Sequence, residues 1–173
     1  MKNKVALVTG ASSGIGMAIT RRLAGDGYSV MAAGRDAGRT ADLGSDLPSV
    51  QTWVGDLTSA EACDRLIAAC VKAFGRLDLL VNNAGIYHQA DAERTTDPIW
   101  QQTIAINLTA PFYLSRAAMP QLRKSKGAII NIASDWGLVG GRNAVAYCAS
   151  KGGVVLMSKA MALDHAAEGV RIN

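Results

Sequence analysis

The chain has 173 residues, 49% of them hydrophobic and 18% charged, which excludes a disordered or heavily solvated protein. Its length sets a prior of one domain, residues 1–173, able to bury roughly 70% of its unfolded surface without disulfide or metal staples. The net charge of +4 is scattered over Arg21, Arg22, Arg35, Arg39 and the Arg123 to Lys126 segment. With only two Phe, three Trp and four Tyr to accompany it, no nucleic-acid tract forms, and a small anionic ligand is the expected partner instead.

In chain order, the apolar run Val5–Thr9 reads as a strand and Gly14–Asp26 as the helix after it. Ser29–Ala33 leads to a helix over Ala37–Ser45, and Thr52–Val54 to a helix over Ser59–Phe74. Leu77–Val81 precedes a long helical region, Asp97–Lys124; Ala128–Ile132 precedes Ala146–Ala167, and a sixth strand starts at Val170. Leu79–Val81 and Ile129–Ile130 are apolar without alternation, as strands covered on both faces are. Regular alternation of strand and helix means right-handed βαβ units, hence an α/β fold: a doubly wound parallel sheet with helices on both faces.

Cys63, Cys70, Cys148, His88 and His165 have no ligand spacing, so no metal is expected; Cys63 and Cys70 read as small hydrophobes on one helix face. Val5–Val8 is too short for an export signal, and the uncharged stretch Pro98–Ser115 carries Gln101, Gln102, Asn107 and Pro111. No membrane span is expected, and the reading is cytoplasmic. The segment Gly152–Leu163 is apolar on most sides. One face belongs on the sheet and the other on a second subunit, which predicts a homo-oligomer, a dimer or tetramer.

After the first strand, Thr9-Gly10-Ala11-Ser12-Ser13-Gly14-Ile15-Gly16 is a glycine turn opening a helix. Such glycines let backbone approach a pyrophosphate, and the helix start offers free N–H groups and a positive dipole end. Gly10, Ser12, Ser13, Gly14, Ile15 and Gly16 are therefore candidate cofactor contacts. At the end of the second strand Gly34 stands where a carboxylate would hold an NAD ribose, and Arg35 follows, which favours NADP, with NAD as the alternative. Asp56-Leu57 ends the third strand, where the carboxylate either accepts from an adenine amino group or helps cap the next helix. Asn82-Asn83-Ala84-Gly85 ends the fourth, bracing either the cofactor or the sheet.

Tyr147 and Lys151 stand at i and i+4, on one helix face. A lysine charge about 5 Å from a phenol, at an effective dielectric near 20, contributes roughly 3 kcal/mol, or about two pKa units. That is the size needed to make Tyr147 a working acid and base.

The set Thr9-Gly10-xxx-Gly14-x-Gly16, Asn82-Asn83-Ala84-Gly85, Asn107, Ser134 and Tyr147-xxx-Lys151 resembles the short-chain dehydrogenase/reductase family, motif by motif and in the family's order. The resemblance implies a Rossmann-like fold and a tetrad of Asn107, Ser134, Tyr147 and Lys151. Tyr147 would exchange the proton of the carbonyl or alcohol oxygen, Ser134 would hold that oxygen, and Lys151 would bind the nicotinamide ribose. Asn107 would hold a water linking Lys151 to solvent. Ser134, Trp136 and Tyr147 would face a small carbonyl or alcohol substrate. Two departures accompany the match. Ser13 stands where NADP-preferring members often carry a basic residue, leaving Arg35 to argue for NADP. The match runs from Val5 to Asn173 and lacks the family's C-terminal part, including the substrate lid and last helix. The expectation is either a piece of a longer protein or a reduced form. A dinucleotide sensor without chemistry, or an epimerase or dehydratase, is the alternative to an oxidoreductase.

Overall fold

Six parallel strands hydrogen-bond in the order β3-β2-β1-β4-β5-β6, formed by β1 (Val5–Thr9), β2 (Ser29–Gly34), β3 (Val50–Val54), β4 (Leu79–Asn82), β5 (Ala128–Asn131) and β6 (Arg171–Ile172). This is seen in a computed structural model, which describes residues 4–173. Between the strands run α1 (Gly14–Gly25), α2 (Ala37–Asp46), α3 (Ala60–Phe74), α4 (Asp97–Ile104), α5 (Ala110–Ser125) and α6 (Val145–His165). The expected doubly wound α/β sheet is therefore observed, sixth strand included.

Strand parity divides the core. Val5 and Leu7 of β1 face one layer, packed with Leu66 and Cys70 of α3 and Leu114 and Leu122 of α5. Ala6 and Val8 face the other, where Leu43 of α2 and the half-buried Met17 and Leu23 of α1 cover them. The first layer is much the larger, with nineteen buried residues against eight. On the α1–α2 side the cover thins toward β5, where Ile130 is 39% exposed. Cys63 and Cys70 lie side by side in the larger layer as expected, and burial pushes their thiols up to about 11 and about 12.

Local chemistry sets the helix starts. Ser59 accepts from the Ala62 N–H and Thr96 from the Ile99 N–H, while Asp36 accepts from the Arg39 N–H. Ser59 is thus the cap of α3 rather than its first residue. The fourth strand begins at Leu79, two residues later than expected; just before it Asp78 ties the β1 start, its carboxylate taking the Val5 N–H and two N–H groups of Arg76.

The expected single helix Asp97–Lys124 is in fact two, separated by a π-helical turn at Ala105–Thr109. Pro111 is the reason. It has no N–H to give the carbonyl of Asn107, four residues back, and its ring clashes with that carbonyl in a regular helix. Among the described residues no helix is long and apolar enough to cross a membrane, and no group of His, Cys, Asp and Glu could hold a metal ion.

Candidate active site

The strand order reverses between β1 and β4, and a crevice opens beyond the carboxyl ends of those strands. A cleft of about 420 Å³ lies there. Its floor is the glycine turn, with Gly10, Ser12, Ser13, Gly14 and Ile15 on the lining. Gly10 has φ +63°, and a β-carbon on it would come 2.9 Å from the Ala84 Cα, so only glycine fits. Ser13 sits at the N-cap of α1 without a side-chain cap bond, and the first turn of the helix holds no acidic residue. The positive helix end is thus open to the cleft, and these features fit the diphosphate of a dinucleotide.

Arg35 and Leu57 line one end of the cleft, and Asn83, Ala84 and Gly85 the other. Gly16 and Asp56 make other contacts in this structure. Gly16 is a packing residue: a β-carbon there would overlap the Gly10 carbonyl oxygen and the Asn83 amide. Asp56 is exposed, outside the lining, and its Oδ1 accepts from the Thr58 N–H at 2.8 Å. Asn83 braces the turn rather than pointing into the cleft, its side-chain amide donating to the Thr9 and Gly10 carbonyls. Thr9 returns the tie, its hydroxyl accepting from the N–H groups of Asn83 and Ala84 at 3.0 Å each. Asn82 braces the sheet: its amide donates to Asn131, whose own amide donates to Ser158 of α6.

Arg39 and Ile86 also line the cleft and were not among the expected residues. Arg39 follows Arg35 by four residues at the start of α2, a helical spacing that was available as a signal. It pairs with Asp36 at 3.3 Å, whereas Arg35 is exposed and has no ion-pair partner among the described residues.

Gly85 joins this cleft to the second half of the site. A β-carbon on it would lie 3.5 Å from Asn107 Oδ1 and 3.8 Å from Lys151 Nζ. Lys151 is 5% exposed, its ammonium donates to the Ile132 carbonyl, and burial holds its pKa below the usual lysine range. Its Nζ lies 5.8 Å from the centre of the Tyr147 ring. Tyr147 stands edge-on to Tyr87 and Trp136, at ring distances of 5.3 and 6.1 Å. Asn107 grips the Ile86 backbone at both ends, taking its N–H at 2.8 Å and giving to its carbonyl at 2.9 Å. The same amide donates to Ser150, which donates to the Tyr147 carbonyl. The buried Asn107 is thereby fully partnered, and the β4 loop is tied to the helix that carries Tyr147 and Lys151.

Ser134 follows β5 and caps a 3-10 turn, Asp135–Gly137. That turn lies directly on α6, since a β-carbon on Gly137 would come 2.8 Å from the Lys151 carbonyl oxygen. Ser134 Oγ donates to Asp135 Oδ1 at 2.9 Å and accepts from the Trp136 N–H at 3.2 Å. The fold thus gathers Asn107, Ser134, Tyr147, Lys151 and Trp136 around α6, beyond the Gly85 end of the cleft.

Comparison with known proteins identifies the family of the chain. The short chain dehydrogenase family matches residues 4–173. An L-fucose dehydrogenase of Bos taurus is 40% identical over 172 residues, covering 98% of this chain and 63% of the relative. A meso-2,3-butanediol dehydrogenase of Serratia marcescens is 35% identical, covering 99% and 69%. A crystal structure from Sinorhizobium meliloti 1021, described as a short-chain alcohol dehydrogenase, superposes with a TM-score of 0.95 at 32% identity, covering 100% and 71%. The chain thus spans less than two thirds of the fucose dehydrogenase.

Proposed function

The chain belongs to the short-chain dehydrogenase/reductase family, and from that premise we propose that it is an oxidoreductase interconverting an alcohol and its carbonyl compound with NADP(H). The observation that carries this reading is the Tyr147–Lys151 pair standing where the glycine-floored cleft ends at Gly85. When bound, the dinucleotide supplies the nicotinamide ring that accepts or gives the hydride. Gly10 to Ile15 would hold its diphosphate and Arg35 the ribose 2′-phosphate.

Tyr147 takes the proton of the alcohol oxygen in one direction and returns it in the other. Ser134 accepts from the alcohol hydroxyl in one direction and turns its single hydrogen from Asp135 to the carbonyl oxygen in the other. Lys151 spends one donor on Ile132 and keeps two for the ribose hydroxyls. Asn107 has both amide hydrogens committed, so the second lone pair of Oδ1 remains for a water. The names of the fucose and butanediol relatives support a sugar or vicinal diol as substrate.

NADP is favoured over NAD because an acidic residue at the end of β2 has no room: a β-carbon on Gly34 would come 2.5 Å from Thr40 Oγ1. Arg35 and Arg39 supply the matching positive charge. Fluorescence titration should show NADPH binding more tightly than NADH. Arg35→Ala with Arg39→Ala should cost NADPH ~10–100-fold, the worth of a charged hydrogen bond, and leave NADH nearly unchanged. Tighter NADH binding by the wild type would assign the site to NAD, and no binding of either would remove the oxidoreductase reading.

The exposed Phe112 of α5 and Leu156 and Leu163 of α6, the last 82% exposed, support assembly into a dimer or tetramer. Light scattering at micromolar concentration should report at least twice the monomer mass; a monomer there would refute it.

A further inference from the structure

The tetrad accounts for Ser134 but not for the carboxylate bonded to it. Asp135 is exposed, has no ion-pair partner among the described residues, and is held against Ser134 by two bonds to a single oxygen. Oδ1 accepts from the Ser134 hydroxyl and from the Trp136 N–H, both at 2.9 Å. Oδ2 has no partner among the described residues. We propose that Asp135 is a specificity residue of this site, accepting the hydroxyl on the carbon next to the reacting one and so selecting neutral vicinal diols. The proposal rests on the oxidoreductase reading above.

The argument is one of donors, spacing and charge. An ionised carboxylate only accepts, and a neighbouring hydroxyl is a donor that matches it. Asp135 Oδ1 is taken by Ser134 and Trp136, which leaves Oδ2, on the same carboxylate, to accept a substrate hydroxyl beside the oxygen at Ser134. Two hydroxyl oxygens can therefore be met at once, one at Ser134 and Tyr147, the other at Asp135. A substrate with no second hydroxyl leaves the Asp135 position unused. One with a carboxylate there, a 2-hydroxy acid, meets like charge and is disfavoured. The rings of Trp136 and Tyr87, 5.8 Å apart and edge-on, offer apolar surface to the C–H side of such a diol. During oxidation only the hydroxyl at Tyr147 changes: its carbon loses hydride to the nicotinamide and its oxygen loses the proton to Tyr147. The hydroxyl at Asp135 is retained.

The test compares meso-2,3-butanediol, 2-butanol and lactate as substrates of the wild type, Asp135→Ala and Asp135→Asn. The diol-to-2-butanol ratio in kcat/KM should fall ~10–100-fold in Asp135→Ala, the worth of one hydrogen bond to a charged group. Asp135→Asn, which keeps shape and removes charge, should raise lactate relative to the diol. Equal losses on all substrates would mean that Asp135 merely orients Ser134, and together with unchanged ratios would overturn the proposal. If the wild type oxidises none of the three with NADP or NAD, the oxidoreductase reading fails. Tryptophan-fluorescence titration then decides on Asp135 alone: a diol preference over 2-butanol that is lost in Asp135→Ala sustains it, and equal affinities overturn it.

Discussion

Tyr147→Phe is expected to lower turnover ~10²–10⁴-fold, the usual worth of a positioned acid–base group. The substitution removes one oxygen and keeps the ring, so the edge-on contacts with Tyr87 and Trp136 survive and the site keeps its shape. The variant should therefore melt like the wild type and titrate NADPH with similar affinity, since the glycine turn and Lys151 are untouched. Steady-state kinetics and nucleotide fluorescence on the same sample check both halves. A variant with undiminished turnover would dismiss Tyr147 as the acid and base, and with it the reading of the chemistry given above.

Lys151→Met separates function from stability in the opposite way. Lys151 is buried with a single described hydrogen bond, to Ile132, so its charge is kept at a cost. Burial lowers its pKa in the folded chain below that of the unfolded chain. Between the two values the unfolded chain binds more protons, so wild-type stability rises with pH through that window. Below the folded value the full penalty is present. Methionine removes the penalty and gives up the bond to Ile132, itself worth about 1 kcal/mol. Where the penalty exceeds that bond the variant melts higher at pH 7, and the gain shrinks as pH rises toward the ordinary lysine pKa. Turnover should fall ~10²-fold or more and dinucleotide affinity ~10–100-fold, as two charged donors leave the ribose site. Calorimetry across pH with parallel kinetics tests this; a variant that melts lower at pH 7 would show that Lys151 is a structural group.

The parts of this site that are legible in the sequence are those written in local spacing. The turn from Gly10 to Ile15 and the i, i+4 pair of Tyr147 and Lys151 are short patterns whose geometry follows from backbone rules; the first lines the cleft and the second shares a face of α6. What escapes is decided by tertiary contact. The close packing of Gly16 on Gly10 and Asn83, and the bond from the Thr58 N–H to Asp56 Oδ1, are contacts that turn spacing alone does not announce. Asn107 looks like a costly polar residue within a helix until Ile86 and Ser150, 21 and 43 positions away, are brought to it. The break at Ala105–Thr109 did have a local signal in Pro111, masked by the apolar pattern running through it. Asp135 had none, because a carboxylate beside a serine is ordinary until its hydrogen bond is seen.

The two layers of the core are unequal, and α1 and α2 sit on the thinner one. Those helices begin at Gly14 and Ala37, beside the very residues that line the cleft. Within the described residues, a segment held by fewer buried side chains opens more often than one on the thicker layer. A ligand that binds only the closed form works against such opening, by about 2.7 kcal/mol at a hundred times its dissociation constant. For this chain the nucleotide would then be part of the scaffold as well as a reactant. Its concentration would bear on the lifetime of the chain in a proteolytic environment.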